Sequence, residues 1–160
     1  MQENNNSEID DNESEVLLNI GGEIDKTSVT LRFFGDELEP NELTEKLNFQ
    51  PTYAHRKGDI VPNKFKPHIV KTGTWLLAGE KEGERDLEKQ ILDLFEKLPG
   101  DLEIWKDLTK RFEADIYCGA WLKGWNRDVY FSPQVLKQIS DKGLHLGMAI
   151  YCEGDQEEKE

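Results

Sequence analysis

Apolar and polar side chains alternate with a period of two in "SVTLRFF", where Val29, Leu31 and Phe33 fall on one side and Thr30, Arg32 and Phe34 on the other. That alternation predicts a strand over Ser28–Phe34 with one buried face. The period then lengthens. In "ELEPNELTEKLNF" Leu43 and Leu47 stand one helical turn apart and Pro40 occupies a first helical position, which predicts a helix. Residues 49–72 show no period and contain Pro51, Pro62 and Pro67, so they read as a long connection, before "TGTWLLA", Thr72–Ala78, reads as a second strand. From Gly83 to Phe112 helical spacing returns: Leu87, Ile91, Leu94, Phe95 and Leu98, then Leu102, Trp105, Leu108 and Phe112. Pro99-Gly100 divides that region, and Asp101 is placed to cap its second helix. "ADIYCGAW", Ala114–Trp121, is a third strand and "DVYF", Asp128–Phe131, a short one. Ser132-Pro133 opens a last helix that Gly143 closes, and Leu144–Cys152 is the final strand.

The order is strand-helix-strand, a helical pair, and strand-helix-strand again. "EPNELTEKL" and "SPQVLKQIS" share a proline followed by leucine three residues later, which suggests two pseudo-repeated halves. Neither half is long enough to close a core alone. The expected fold is therefore α+β: one four-stranded, mainly antiparallel sheet with the helices on one face, in the ferredoxin-like manner. Trp75 opens an apolar strand after a glycine and is expected to be buried against the helices of residues 84–112.

Charge changes the picture of the whole more than that of the body. The 160 residues carry a net charge of −13, but residues 1–25 hold eight carboxylates without Lys or Arg, and residues 153–160 hold five against Lys159. Twelve of the thirteen negative charges thus sit in two tails, and residues 26–152 carry −1. The expected organisation is an acidic, mostly disordered arm (1–25), one domain (26–152) and an acidic disordered tail (153–160). Inside the arm "VLLNI", Val16–Ile20, is apolar; it reads as a short strand docked on the domain or, alternatively, as a partner-binding motif. The arm lacks the basic start and long apolar stretch of a secretory leader, and nothing approaches a membrane span. The expectation is a cytoplasmic protein with Cys118 and Cys152 as reduced thiols.

Chemistry concentrates in "PTYAHRKGD". His55, Arg56, Lys57, Gly58 and Asp59 adjoin one another, and residues 54–71 set five cations against Asp59, a local +4. Gly58 would let backbone amides approach an anion, and Arg56 could grip a carboxylate or phosphate with two bonds. The competing reading is a docked loop, with Arg56 and Asp59 paired and Ile60, Phe65 and Ile69 pinning it to the sheet. No phosphate-loop pattern is present, so docking is preferred. His55, His68, His145, Cys118 and Cys152 match no zinc spacing, and both cysteines fall in apolar strands where a thiol is inert. No catalytic residue, cofactor or metal is expected. On the strand faces opposite the core, Arg32, Phe34, Tyr117, Trp121, His145 and Tyr151 form an aromatic platform with Gly119, Gly147 and Ala149 between them. Such a platform could stack bases, but no RNP-like run accompanies it and the −13 charge argues against phosphate backbones as partners. The 49–72 connection is expected to cover much of this face and leave a rim for a ligand or protein.

The segments "LRFFGDELEP", "PTYAHRKGD", "KTGTWLL", "IYCGAW", "SPQVLKQISDKGL" and "LGMAIYC" together resemble a bacterial family catalogued as domain of unknown function 4279, over residues 28–152. "AHRKGD…GTW" is the most distinctive pairing. The resemblance implies a small bacterial α+β domain with some relatives near toxin–immunity systems, and it implies no activity, cofactor or catalytic residue. The expected function is non-enzymatic protein binding, of an immunity or antitoxin type, with a partner of basic character steered by the acidic tails. The alternative is a small-anion or nucleotide-binding module centred on the 54–59 loop, with Arg56, Lys57, Gly58 and Trp75 at its heart.

Overall fold

The computed structural model describes residues 24–64, 66–79, 85–123 and 127–152. Residues 1–23 of the acidic arm, with Val16–Ile20, the pin expected at Phe65 and the tail 153–160 lie outside the described residues. In chain order the elements are β1 (Lys26–Gly35), α1 (Pro40–Leu47), β2 (Tyr53–His55), β3 (Ile60–Val61), β4 (His68–Ile69), β5 (Gly73–Ala78), α2 (Leu87–Glu96), α3 (Leu102–Arg111), β6 (Glu113–Leu122), α4 (Pro133–Asp141) and β7 (His145–Cys152).

The helices start and stop where local chemistry directs. Pro40 and Pro133 stand in the first turns of α1 and α4. The carboxylate of Asp86 accepts from the N–H groups of Glu88 and Lys89, Asp101 accepts from Glu103, and the Ser132 hydroxyl accepts from Val135. Gly143, at φ 69°, makes the left-handed turn that ends α4. One stripe of each helix faces the sheet: Leu43 and Leu47, Ile91 and Leu94, Trp105 and Leu108, Val135 and Ile139 are all buried. They meet Val29, Leu31 and Phe33 of β1, Trp75 and Leu77 of β5, and Ala114, Ile116 and Cys118 of β6 in one core. Each large side chain so buried contributes about 1.5–3 kcal/mol.

The sheet differs from the expected one. It is five-stranded and mixed, in the order β2-β5-β1-β6-β7, and a separate hairpin joins β3 to β4. The fifth strand is β2, whose three residues pair antiparallel with β5, Tyr53 opposite Leu76 and His55 opposite Thr74. β1 pairs antiparallel with β5 and β6, but β6 and β7 run parallel. The parallel pair follows from its connection, because residues 123–144 carry a whole helix back across the sheet whereas a tight turn would have reversed the strand. This also undoes the expected repeat: β1 pairs antiparallel with β5, the strand expected to follow α1, whereas β6 and β7, which flank α4, pair parallel. Asp128–Phe131 holds no strand.

Trp75 is fully buried, as expected, but beneath α1 rather than the later helices: its Nε1 donates to the Thr44 hydroxyl at 3.1 Å. Trp105 of α3 fills the other side of Phe33 and donates to the Pro99 carbonyl at 2.8 Å. Ile24 and Asp25 also belong to the packed body: Ile24 is buried, and the Asp25 carboxylate accepts the Lys123 N–H at 2.7 Å. No helix among the described residues is long and apolar enough to cross a membrane.

Candidate functional site

The four helices among the described residues pack on one face of the sheet, so the other face is built from the alternate residues of the same strands. At its centre Arg32 of β1 reaches across to Asp115 of β6, donating from Nε at 2.7 Å and from Nη2 at 2.6 Å. The register places these residues directly opposite each other. The guanidinium lies 3.7 Å above the centre of the Tyr117 ring and 5.4 Å from that of Phe34. Two same-face positions beyond Tyr117 on β6, Trp121 stacks on Tyr151 of β7 with centroids 4.9 Å apart and planes 13° from parallel, and the Lys26 ammonium stands 5.0 Å from the Trp121 ring. Glycine makes this low relief possible. A Cβ on Gly119 would meet the Trp121 ring at 2.8 Å, and one on Gly147 the Tyr117 ring at 3.0 Å. The rings therefore lie back across the strands, half exposed.

Both arms of the Arg32 fork are taken up by Asp115, so the central charge is compensated and the guanidinium offers its planar faces to a ring. The residue types gathered here, Arg, Tyr and Trp, are those enriched where proteins bind one another.

"AHRKGD" folds into a closed turn at the β2 edge of the sheet, opposite the β7 edge and two strands from Arg32 of β1. Arg56 Nε pairs with Glu39 Oε2 at 2.7 Å, and Lys57 pairs with Asp36. Asp59 accepts the backbone N–H of Arg56 at 2.8 Å and faces His55 Nδ1 at 3.6 Å, while His55 packs edge-on to Tyr53 at 4.6 Å. Gly58, at φ 91°, spends its N–H on the Val70 carbonyl, 2.8 Å away. Two details of the docked-loop expectation are corrected. The Arg56 side chain pairs with Glu39 rather than Asp59, because the β1–α1 loop brings its carboxylates alongside. Ile60 and Ile69 pin nothing, being 70% and 65% exposed on a hairpin that, among the described residues, pairs only with itself; of the described apolar side chains in this excursion, Val70 is the buried one.

The structure thus gathers His55, Arg56, Lys57, Gly58 and Asp59 in one turn, Arg32 with Tyr117, and Trp121 with Tyr151, but it puts Trp75 under α1, on the far side of the sheet from Arg32. The Cys118 thiol is buried in the core and pushed up to about 12 by that burial, whereas Cys152 is exposed. An open cleft lined by Ile24, Leu87, Glu88, Val129 and Phe131 lies on the helix side; Glu88 is committed there, accepting the Ser132 N–H at 2.5 Å. Sequence reasoning missed one surface. Leu146, Met148 and Ile150 of β7 register with Ile116, Cys118 and Ala120, yet they are 38%, 36% and 60% exposed. A period of two reads alike in a covered strand and a bare one; the available signal was an eight-residue strand without a single charge.

Comparison with known proteins gives one match. A family model described as "Domain of unknown function (DUF4279)" matches residues 25–153. No curated protein and no solved structure matches the chain.

Proposed function

The chain belongs to the DUF4279 family of domains of unknown function, and we propose that it is a non-enzymatic, protein-binding domain that works through the helix-free face of its sheet, in the manner of an immunity protein that neutralises a partner by covering it. The observation that carries this reading is the partly exposed Arg32–Asp115–Tyr117 cluster beside the Trp121–Tyr151 stack. Aromatic rings and a charge-compensated guanidinium lose little on desolvation and supply large, rigid contact area. The −13 charge favours a basic partner by speeding encounter. Photo-crosslinkers placed singly at Tyr117 and Trp121, with Glu103 on the helical side as control, test it in a lysate of the source organism. A discrete protein adduct at the first two positions and none at the third is expected. No adduct, or the same adducts at all three, overturns the reading.

The second reading, an anion or nucleotide site at residues 54–59, is favoured by the left-handed Gly58 within a stretch of local +4. The pairing of Arg56 with Glu39 and of Lys57 with Asp36 weighs against it, since an anion would have to displace both carboxylates. Thermal midpoints with and without millimolar phosphate or ATP decide: stabilisation that disappears in Arg56→Ala would establish this site.

A further inference from the structure

β7 is an open sheet edge. Among the described residues no strand pairs on its outer side. Exposed strand edges are templates for further pairing, and proteins blunt them with charge, proline or brevity. The opposite edge, β2, is blunted by its three-residue length. β7 runs for eight residues, His145–Cys152, with no Lys, Arg, Asp, Glu or Pro, and it holds Leu146, Met148 and Ile150 exposed along one side and Tyr151, 48% exposed, on the other. Charge decides what fits. Directly after Cys152 come Glu153, Asp155, Glu157, Glu158 and Glu160 against Lys159, so the far end of an uncharged strand runs into a local −4. A second copy would set −13 against −13. A basic segment gains where a second copy loses.

We propose that β7 takes up an extended segment of a basic protein partner as a sixth strand. The segment lies antiparallel, the commoner pairing by roughly two- to three-fold. Its alternate apolar side chains pack on Leu146, Met148 and Ile150, and Lys or Arg residues accompany them, opposite in sign to the chain's −13. Main-chain bonds supply affinity and the alternate side chains supply selection. This rests on the protein-binding reading above and names the partner's chemistry.

A displayed library of random twelve-residue peptides, selected on the full chain, tests it. Enriched peptides are expected to carry alternating Val, Ile or aromatic residues accompanied by Lys or Arg. The synthetic form of the best one, followed by fluorescence anisotropy, should bind Met148→Lys and Ile150→Lys at least tenfold more weakly and weaken steeply with salt. Both positions are partly exposed, so unchanged thermal midpoints will show that the variants fold. Enriched peptides without alternation or basic residues, or equal binding to the variants, overturn the proposal. Binding lost in Trp121→Ala but kept in Ile150→Lys sinks this proposal and leaves the sheet-face reading standing. A wild-type chain that sediments as a dimer at tens of micromolar, made monomeric by Met148→Lys, gives the edge to a second copy and also overturns it.

Discussion

Phe33 sits between two tryptophans, Trp75 edge-on at 6.0 Å and Trp105 stacked at 6.4 Å, and Phe95 closes on Trp105 at 6.2 Å. Each indole also finds a hydrogen-bond acceptor, Thr44 or the Pro99 carbonyl. Trp75→Ala therefore removes a fully buried ring and orphans a contact to α1. It should cost ~3–5 kcal/mol in urea unfolding, the range for aromatic truncation in a core; a midpoint like that of wild type would contradict the placement. In the 54–59 turn the structure separates two interactions that adjacency in the chain suggests are one. Asp59 holds the backbone of residue 56, which any side chain there retains, while the Arg56 side chain goes to Glu39. In a double-mutant cycle Arg56→Ala and Asp59→Ala should be additive, and Arg56→Ala with Glu39→Ala should lose less than the sum. The second effect will be small, on the order of 0.2–1 kcal/mol, because both groups are exposed. Thiol chemistry gives a third check: at pH 8 a soluble disulfide reagent should titrate one thiol per native chain, Cys152, and two only after denaturation.

At the scale of elements, α1 and α3 are tied by a surface network in which Glu42 accepts from Arg111 at 2.6 and 2.9 Å and Lys46 bridges to Asp107. The Arg111 guanidinium, seconded by Lys46, holds the Glu42 carboxyl at about 2, well below its ordinary 4.5. A carboxylate depressed in the folded state contributes stability that is complete above the unfolded value and drains away as pH falls towards the folded one. Glu42→Gln should accordingly flatten the pH dependence of the urea midpoint between about 4.5 and 2; an unchanged slope would mean the network is idle. The helices were legible in the chain because proline, aspartate, serine and glycine mark their ends locally. The pairing of β6 with β7 was not, since its direction comes from how residues 123–144 cross the sheet. β2 escaped notice because three residues carry no period. Of the candidate site, the "AHRKGD" turn and the aromatic alternation of β6 and β7 could be read directly. Their partners could not: Glu39, Asp36 and Asp115 are chosen by folding, not by spacing.

Over the whole molecule two surfaces of different character result. The helical side is laced with ion pairs such as Lys89–Asp93, Lys137–Asp141 and Arg111–Glu42, the dress of a solvated face. The sheet side carries rings, a compensated guanidinium and an uncharged edge, and that contrast underlies the proposed binding surface. The −13 charge, held almost wholly in residues 1–25 and 153–160, acts over about a Debye length and so alters encounter more than contact. The most direct measurement is the affinity of the crosslinked partner, once identified, for wild type, Trp121→Ala, Tyr117→Ala and the helical-side control Lys106→Ala, each with its thermal midpoint. A loss of tenfold or more in both sheet-face variants, with Lys106→Ala at wild-type affinity, is the predicted result. Sheet-face variants that fold and bind as wild type does, or a loss confined to Lys106→Ala, would contradict the account.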